Sequence, residues 1–257
     1  MIFLLIILVF IVLITPRPRP SHTRWLRQTL AHRGLFDEQH PENTFGAFQL
    51  AINQGLGIEC DIRLTSDNVL VMMHDHNLLR LCQSSLEVSK STFEELKSYP
   101  IMNTSYTMMS LEEFLKQVSG QVPLMIEIKP NTRHKETIET LYNQLKNYQG
   151  LVSIVSFDPR IVAACKKRKD NKYPVGQIIE QQFNNKTLSY LQRLALTINA
   201  YQRFTKADFI SVSTSLWPYY QWMTWFNIIV GVWPIREVNQ LKKCNRNNIA
   251  IVEKGVL

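Results

Sequence analysis

No two of the four cysteines, Cys60, Cys82, Cys165 and Cys244, stand as a C-x-x-C pair. That spacing argues against a structural zinc site, and reduced thiols packed as small apolar groups are the expectation. Zinc-finger spacing and RNP-like aromatic patterning are also missing, so no nucleic-acid partner is expected. There is no internal repeat, no long low-complexity stretch and no linker in the middle of the chain. With 257 residues, 45% of them hydrophobic, the chain suits one sizeable core and leaves little room for two. Acidic side chains are scarce: 21 Asp and Glu stand against 29 Lys and Arg, a formal net charge of +8. The excess favours an anionic partner, although part of it is local, in Arg17, Arg19, Arg24, Arg27 and Arg33.

Residues 2–14 are an unbroken apolar run, shorter than the roughly 20 residues that span a bilayer comfortably. No basic side chain precedes it and no A-x-A site follows, so a cleaved signal peptide fits poorly. A buried core helix is the second reading, but Pro16, Pro18 and Pro20 follow and suit a stiff spacer. The organisation expected is therefore a short membrane anchor over 1–15, a Pro/Arg-rich spacer over 16–27 and a catalytic domain over 28–257. Basic residues lie only after the run, which orients that domain toward the cytoplasm.

From residue 28 onward, strand-like and helix-like stretches alternate. Strands are predicted at 29–32, 57–65, 69–74, 122–128, 151–156, 174–179, 209–213, 228–233 and 249–252. Helices are predicted at 43–54, 92–99, 110–118, 137–147, 159–168, 187–204 and 237–243. Asn43 or Thr44 is placed to cap the first helix, and Ser110 with Glu113 forms a capping box. Alternation of this kind predicts parallel strands with helical crossovers. If 69–74 is a hairpin excursion, eight strands remain, the number a TIM-type (β/α)8 barrel needs. The aromatic-rich stretch 216–235 could be a second membrane segment, but Tyr219, Tyr220, Gln221 and Asn227 interrupt the apolar run, so a buried helix, 218–226, leading into a barrel strand is expected.

Barrel enzymes carry their reacting groups at the C-terminal ends of strands. The first strand ends in His32-Arg33-Gly34. The second carries Glu59 and Asp61, two apart and so on one face; the strand at 122–128 carries Glu127, with Lys129 just past its end on the same face. Buried charges are costly unless paired or metal-bound. Three carboxylates converging at one mouth make an oxygen-rich site suited to Mg2+ or Ca2+. A turn at Ser66-Asp67-Asn68 would set Asp61 opposite His74 and bring that imidazole to the same mouth. Two histidines can take and give the protons of phosphodiester cleavage, and Arg33 and Lys129 can hold the phosphate. Each feature alone has a bland reading, such as a surface ion pair of little worth for Glu127 and Lys129. Their joint appearance at strand ends outweighs the bland readings.

The ordered motifs A-H-R-G at 31–34, P-E-N-T at 41–44, E-C-D at 59–61, M-H-D at 73–75, I-E-I-K at 126–129 and S-F-D at 156–158 resemble the glycerophosphodiester phosphodiesterase family. The resemblance spans roughly residues 30–235. It implies a β/α barrel that hydrolyses glycerophosphodiesters to an alcohol and glycerol 3-phosphate with a divalent cation. By motif it implies Glu59, Asp61 and Glu127 as metal ligands, His32 and His74 as the acid/base pair, and Arg33 and Lys129 as the phosphate clamp. Phe157 and Trp233 fall among the substrate-binding positions, and Glu42 is similar to the family's buried glutamate behind the site. Two stretches depart from the pattern: Trp233 is followed by Pro234, Ile235 and Arg236, and the chain closes on 251–257 without the usual ending. Both touch the alcohol-binding side. With the apolar N-terminus they make lysophospholipase D-like action on membrane lipids the alternative; an inactive phospholipid-binding barrel is the other.

Overall fold

In the computed structural model, residues 11, 13–16, 23–182, 186–244 and 248–257 are described. Eight parallel strands close into a barrel: β1 (Thr29–His32), β2 (Gly57–Leu64), β4 (Leu124–Ile128), β5 (Val152–Ser156), β6 (Val175–Ile179), β7 (Phe209–Ser213), β8 (Val230–Ile235) and β9 (Ile249–Val252). Closure comes from β1 pairing with both β9 and β2. The short strand β3 (Leu70–Met72) hangs antiparallel on β2, outside the ring. The predicted strands thus all form, with the stretch at 69–74 as the excursion.

Strand alternation sorts the side chains into two layers. Ile58, Cys60 and Ile62 of β2 and Leu124, Ile126 and Ile128 of β4 face outward into the core shared with the helices. The inward positions of the barrel hold Leu30, Met125, Val155, Ile178, Phe209 and Ile251. Local chemistry starts the helices where expected. Thr92 with Glu95 and Ser110 with Glu113 form complete capping boxes, and Asp158 accepts from the Arg160 amide ahead of Pro159; a cap of this kind stabilises by about 1 kcal/mol. The helix Phe45–Asn53 differs: its N-cap, Thr44, makes no side-chain cap bond and donates its hydroxyl to the Pro41 carbonyl instead.

The predicted helix over 187–204 divides into Tyr190–Thr197 and Gln202–Thr205, because Asn199 takes a left-handed conformation, φ 57°, and breaks the hydrogen-bond ladder. The stretch after β7 forms the short helix Trp217–Tyr220 and a 3-10 turn, Gln221–Phe226, in which Met223 is buried but Trp225 and Phe226 are 82% and 70% exposed.

The proposed anchor and spacer lie mostly outside the described residues. Ile14, at the end of the apolar run, is buried in the outer wall with Ile179, Ile210, Val212 and Met223, and its carbonyl accepts from Asn199 Nδ2 at 2.9 Å. Leu26 is also buried, in the barrel's inner cluster, so packing against the barrel begins before residue 28. Among the described residues, no helix is long and apolar enough to cross a membrane.

Candidate active site

At the C-terminal mouth of the barrel, Glu59 and Asp61 project from β2 and Glu127 from β4. β2 and β4 are neighbours in a register that sets Asp61 beside Glu127. The three side chains are 4%, 1% and 5% exposed as residues, and one carboxylate oxygen from each lies within 4.8 Å of the other two. Lys129 reaches in from the end of the same strand as Glu127, with Nζ 3.1 Å from Asp61 Oδ1 and 2.8 Å from Glu127 Oε1. Arg33 Nε is 3.4 Å from Asp61 Oδ2.

Charge is unevenly matched in this cluster. Burial, with the Asp61 and Glu127 charges added, pushes the Glu59 carboxyl well above the usual range. Burial also raises Glu127, to about 7, against the pull of Lys129. For Asp61 burial is outweighed by Lys129, Arg33, His74 and a hydrogen bond from Asn43, so it is held far below the usual value. Three buried carboxylates, two of them raised by burial in spite of the cations beside them, are a donor set that fits a hard divalent cation.

Both histidines reach the same cleft, of about 440 Å3, together with Arg33, Glu59, Glu127 and Lys129. His32, the last residue of β1, has Nδ1 3.3 Å from Glu253 Oε1 and Nε2 4.0 Å from Glu59 Oε2. The loop that follows it is fixed by Gly34. Its φ is +78°, and a Cβ there would stand 2.7 Å from the backbone carbon of Ala47, so only glycine fits this joint.

His74 arrives by a different route from the one predicted. The β2–β3 register pairs Ile62 with Met72 and Leu64 with Leu70, and the Met73 amide donates to the Asp61 carbonyl. Asp61 therefore opposes Met73, one residue short of His74. The turn is centred on Asp67, held by Thr65 bonds to Asp67 and Val69. His74 still lines the cleft because the ladder stops at Met72 and the chain bends. Arg63 then donates from Nε and an η-nitrogen to the His74 carbonyl at 2.9 and 2.7 Å. Asp75 Oδ1 lies 2.7 Å from His74 Nδ1 and orients the ring. Burial, aided by Lys129 and Arg33, lowers the His74 pKa despite Asp61 and Asp75.

Behind the cleft, Glu42 is buried and gripped by Arg33 at 2.8 Å and by two nitrogens of Arg80 at 2.7 and 2.9 Å. Arg80 also donates to Asp75 at 2.6 Å. A ring of charges thus runs from His74 through Asp75, Arg80, Glu42 and Arg33 to Asp61. The opposite wall of the cleft is apolar. Phe157 and Trp233 meet edge to face at 5.5 Å, flanked by Val155, Ile178 and Ile251, with Lys129 Nζ 5.8 Å from the Phe157 ring centroid. All the residues singled out in the sequence therefore gather at one mouth, with Glu42 just behind it.

Sequence reasoning missed several residues here. Asn43, one of the two residues placed to cap the first helix, instead donates from its side chain to Asp61 Oδ2 at 2.9 Å and accepts from the Asp61 amide. Arg63 extends the i, i+2 series of Glu59 and Asp61 by one step. Glu180 and Glu253 directly follow β6 and β9, so the rule of polar residues at strand ends would have found both. Glu180 lines the cleft, and Glu253 is held down to about 2 by His32 and Arg236 in spite of burial.

The sequence matches the Glycerophosphoryl diester phosphodiesterase family over residues 32–252. A glycerophosphodiester phosphodiesterase of Bacillus altitudinis is 34% identical over 134 residues, 48% of this chain and 54% of the relative. Glycerophosphodiester phosphodiesterase 1 of Rattus norvegicus is 40% identical over 83 residues, 32% of this chain and 23% of that one. The chain spans about half the length of the first curated relatives it matches. In fold, it is similar to an Oleispira antarctica phosphodiesterase solved with the product sn-glycerol-3-phosphate, with TM-score 0.71, 22% identity and coverage of 88% and 92%. It is likewise similar to the Thermotoga maritima glycerophosphodiester phosphodiesterase, with TM-score 0.66, 22% identity and coverage of 87% and 93%. A match running from the histidine that ends β1 to the last residue of β9, on a barrel of the same fold, makes the chain a member of the glycerophosphoryl diester phosphodiesterase family.

Proposed function

We propose that the protein hydrolyses glycerophosphodiesters to an alcohol and glycerol 3-phosphate, using a divalent cation held by Glu59, Asp61 and Glu127. The observation that carries this reading is the buried carboxylate triad sharing one cleft with two imidazoles and two cationic side chains. The chemistry a bound Mg2+ or Ca2+ supplies at such a site is polarisation of the phosphoryl oxygens and acidification of a bound hydroxyl.

The chain's own residues do the rest. Arg33 and Lys129 hold the phosphate oxygens in place. His74, with its pKa depressed by burial, is neutral near pH 7 and takes the proton from the attacking hydroxyl. As the new P–O bond forms and the bond to the alcohol breaks, His32 gives a proton to the departing oxygen. Asp75 and Glu253 fix the two rings through their Nδ1 atoms. Phe157 and Trp233 form the wall against which the substrate's carbon skeleton packs. The test is release of glycerol 3-phosphate from glycerophosphocholine by the purified full chain, with magnesium, with calcium and after chelation. Equal rates in all three, or no release in any, would overturn the reading.

The proposal extends to attachment at a membrane through the apolar N-terminus, with the barrel on the cytoplasmic side. The support is the sequence of residues 2–14 and the basic residues that follow them. A lysolipid arm in the same assay separates soluble diesters from lysophospholipase D-like substrates.

A further inference from the structure

The end of the barrel opposite the mouth has a surface that the reaction does not use. In a parallel barrel, the segments leading into each strand all gather at that end. Those leading into β6, β7 and β9 carry Lys167, Lys172, Arg203, Lys206, Lys242 and Lys243, all exposed. The acidic side chains nearby are already engaged: Asp208 by Lys166 at 2.7 Å and Asp170 by Arg168 at 2.7 Å. The segment leading into β8 carries Trp225 and Phe226, 82% and 70% exposed, and Phe204 before β7 is 54% exposed.

These aromatic side chains are continuous with the N-terminal run. Phe226 stacks edge-on against Trp222 at 6.1 Å, and Trp222 packs on the cluster that contains Ile14. Leu13 and Thr15 line a cleft of about 840 Å3 together with Lys167, Arg203, Phe204 and Lys206. The ten residues before Ile11 contain no charged side chain. Tryptophan and phenylalanine beside lysine and arginine, next to an apolar chain segment, are the composition of a headgroup-level contact.

We propose that this face, around the N-terminal ends of β6–β9, rests on an anionic phospholipid bilayer, and that the catalytic mouth therefore opens toward water. The substrate then comes from the aqueous phase as a soluble glycerophosphodiester and not from the supporting bilayer. The substrate half of this proposal rests on the phosphodiesterase reading; the docking half does not. Basic residues at an anionic surface contribute roughly fivefold each to partitioning. Trp225 and Phe226 enter the interfacial layer.

The experiment is flotation of the full chain with phosphatidylcholine vesicles, with and without phosphatidylglycerol, alongside turnover of glycerophosphocholine in solution. The wild type is expected to float with the anionic vesicles. The triple variant K167Q/R203Q/K206Q should lose about a hundredfold in partitioning and W225S/F226S a further part, both with solution turnover unchanged. Brominated lipid should quench tryptophan fluorescence in the wild type, with the quenching reduced in W225F and unaffected in W233F. Equal binding to neutral vesicles, undiminished binding by the triple variant, or quenching that depends on Trp233 would overturn the docking. So would a dimer that W225S/F226S dissociates while vesicles leave the wild type unbound. Faster turnover of lysolipid within the supporting vesicle than of the soluble diester would overturn the orientation. Vesicle binding without any diester turnover would reject the phosphodiesterase reading and leave the docking standing.

Discussion

The two halves of the barrel hold different kinds of side chain against the same cleft. From β1 to β4 the mouth is built of polar and titratable groups, each pinned by a neighbour: Asp61 by Asn43, Lys129 and Arg33, and His74 by Asp75 and Arg63. From β5 to β8 it is mostly an apolar wall, with Phe157, Ile178 and Trp233 as its chief members and Glu180 at its edge. Polar geometry on one side fixes where a phosphate and a proton can go. Packing on the other side fixes only what shape of carbon skeleton fits. The first half should therefore tolerate no change without loss of rate, and the second should trade one substrate for another.

The largest effect expected is from His32→Ala or His74→Ala. Each should lower kcat by about a hundredfold to ten-thousandfold while the circular dichroism spectrum and melting temperature stay near wild type. Near-normal rates in either variant would break the division between the halves. Next is Asn43→Ala, which leaves all three carboxylates present but frees Asp61. Metal affinity, read as the concentration giving half-maximal rate, should weaken by about 10–100-fold, with rate largely restored at saturating metal. On the apolar side, Trp233→Ala should raise KM by about tenfold and leave kcat within a few-fold. Its preference among diesters with small and large alcohols should shift, which no variant of the first half should do.

The smallest effect is one of pH. His74 is depressed by burial and by the cations beside it, so it loses its proton below the ordinary value of about 6.5. The acidic limb of kcat/KM should therefore lie below that pH, with rate gained as pH rises through it. Removing a neighbouring positive charge, as in Lys129→Gln, should raise the His74 pKa and move its NMR titration upward. A titration that stays in place, or moves down, would separate His74 from the charge network.

What the sequence revealed follows the same division. Strand alternation and capping boxes are local, and each strand stands within a few residues of its predicted place. The carboxylates at 59, 61 and 127 were legible because an acid on an apolar strand is costly to bury unless a counter-charge or a metal offsets it. The hairpin register was not, because one residue in a turn depends on how Thr65 chooses its partners. Asn43 was hidden because asparagine before a helix is equally good as a cap. The role of Ile14 was hidden because an apolar run reads the same whether it meets lipid or the outer wall of a barrel.

The ring of charges through Asp75, Arg80, Glu42 and Arg33 spans two separate excursions of the chain, after β1 and after β3. Neither excursion can drift alone without stranding a partner in the other. Anyone grafting new chemistry onto this scaffold would have to transplant the pair as a single cassette. Under the proposed function, natural variation in the substrate accepted should accumulate on the far rim instead.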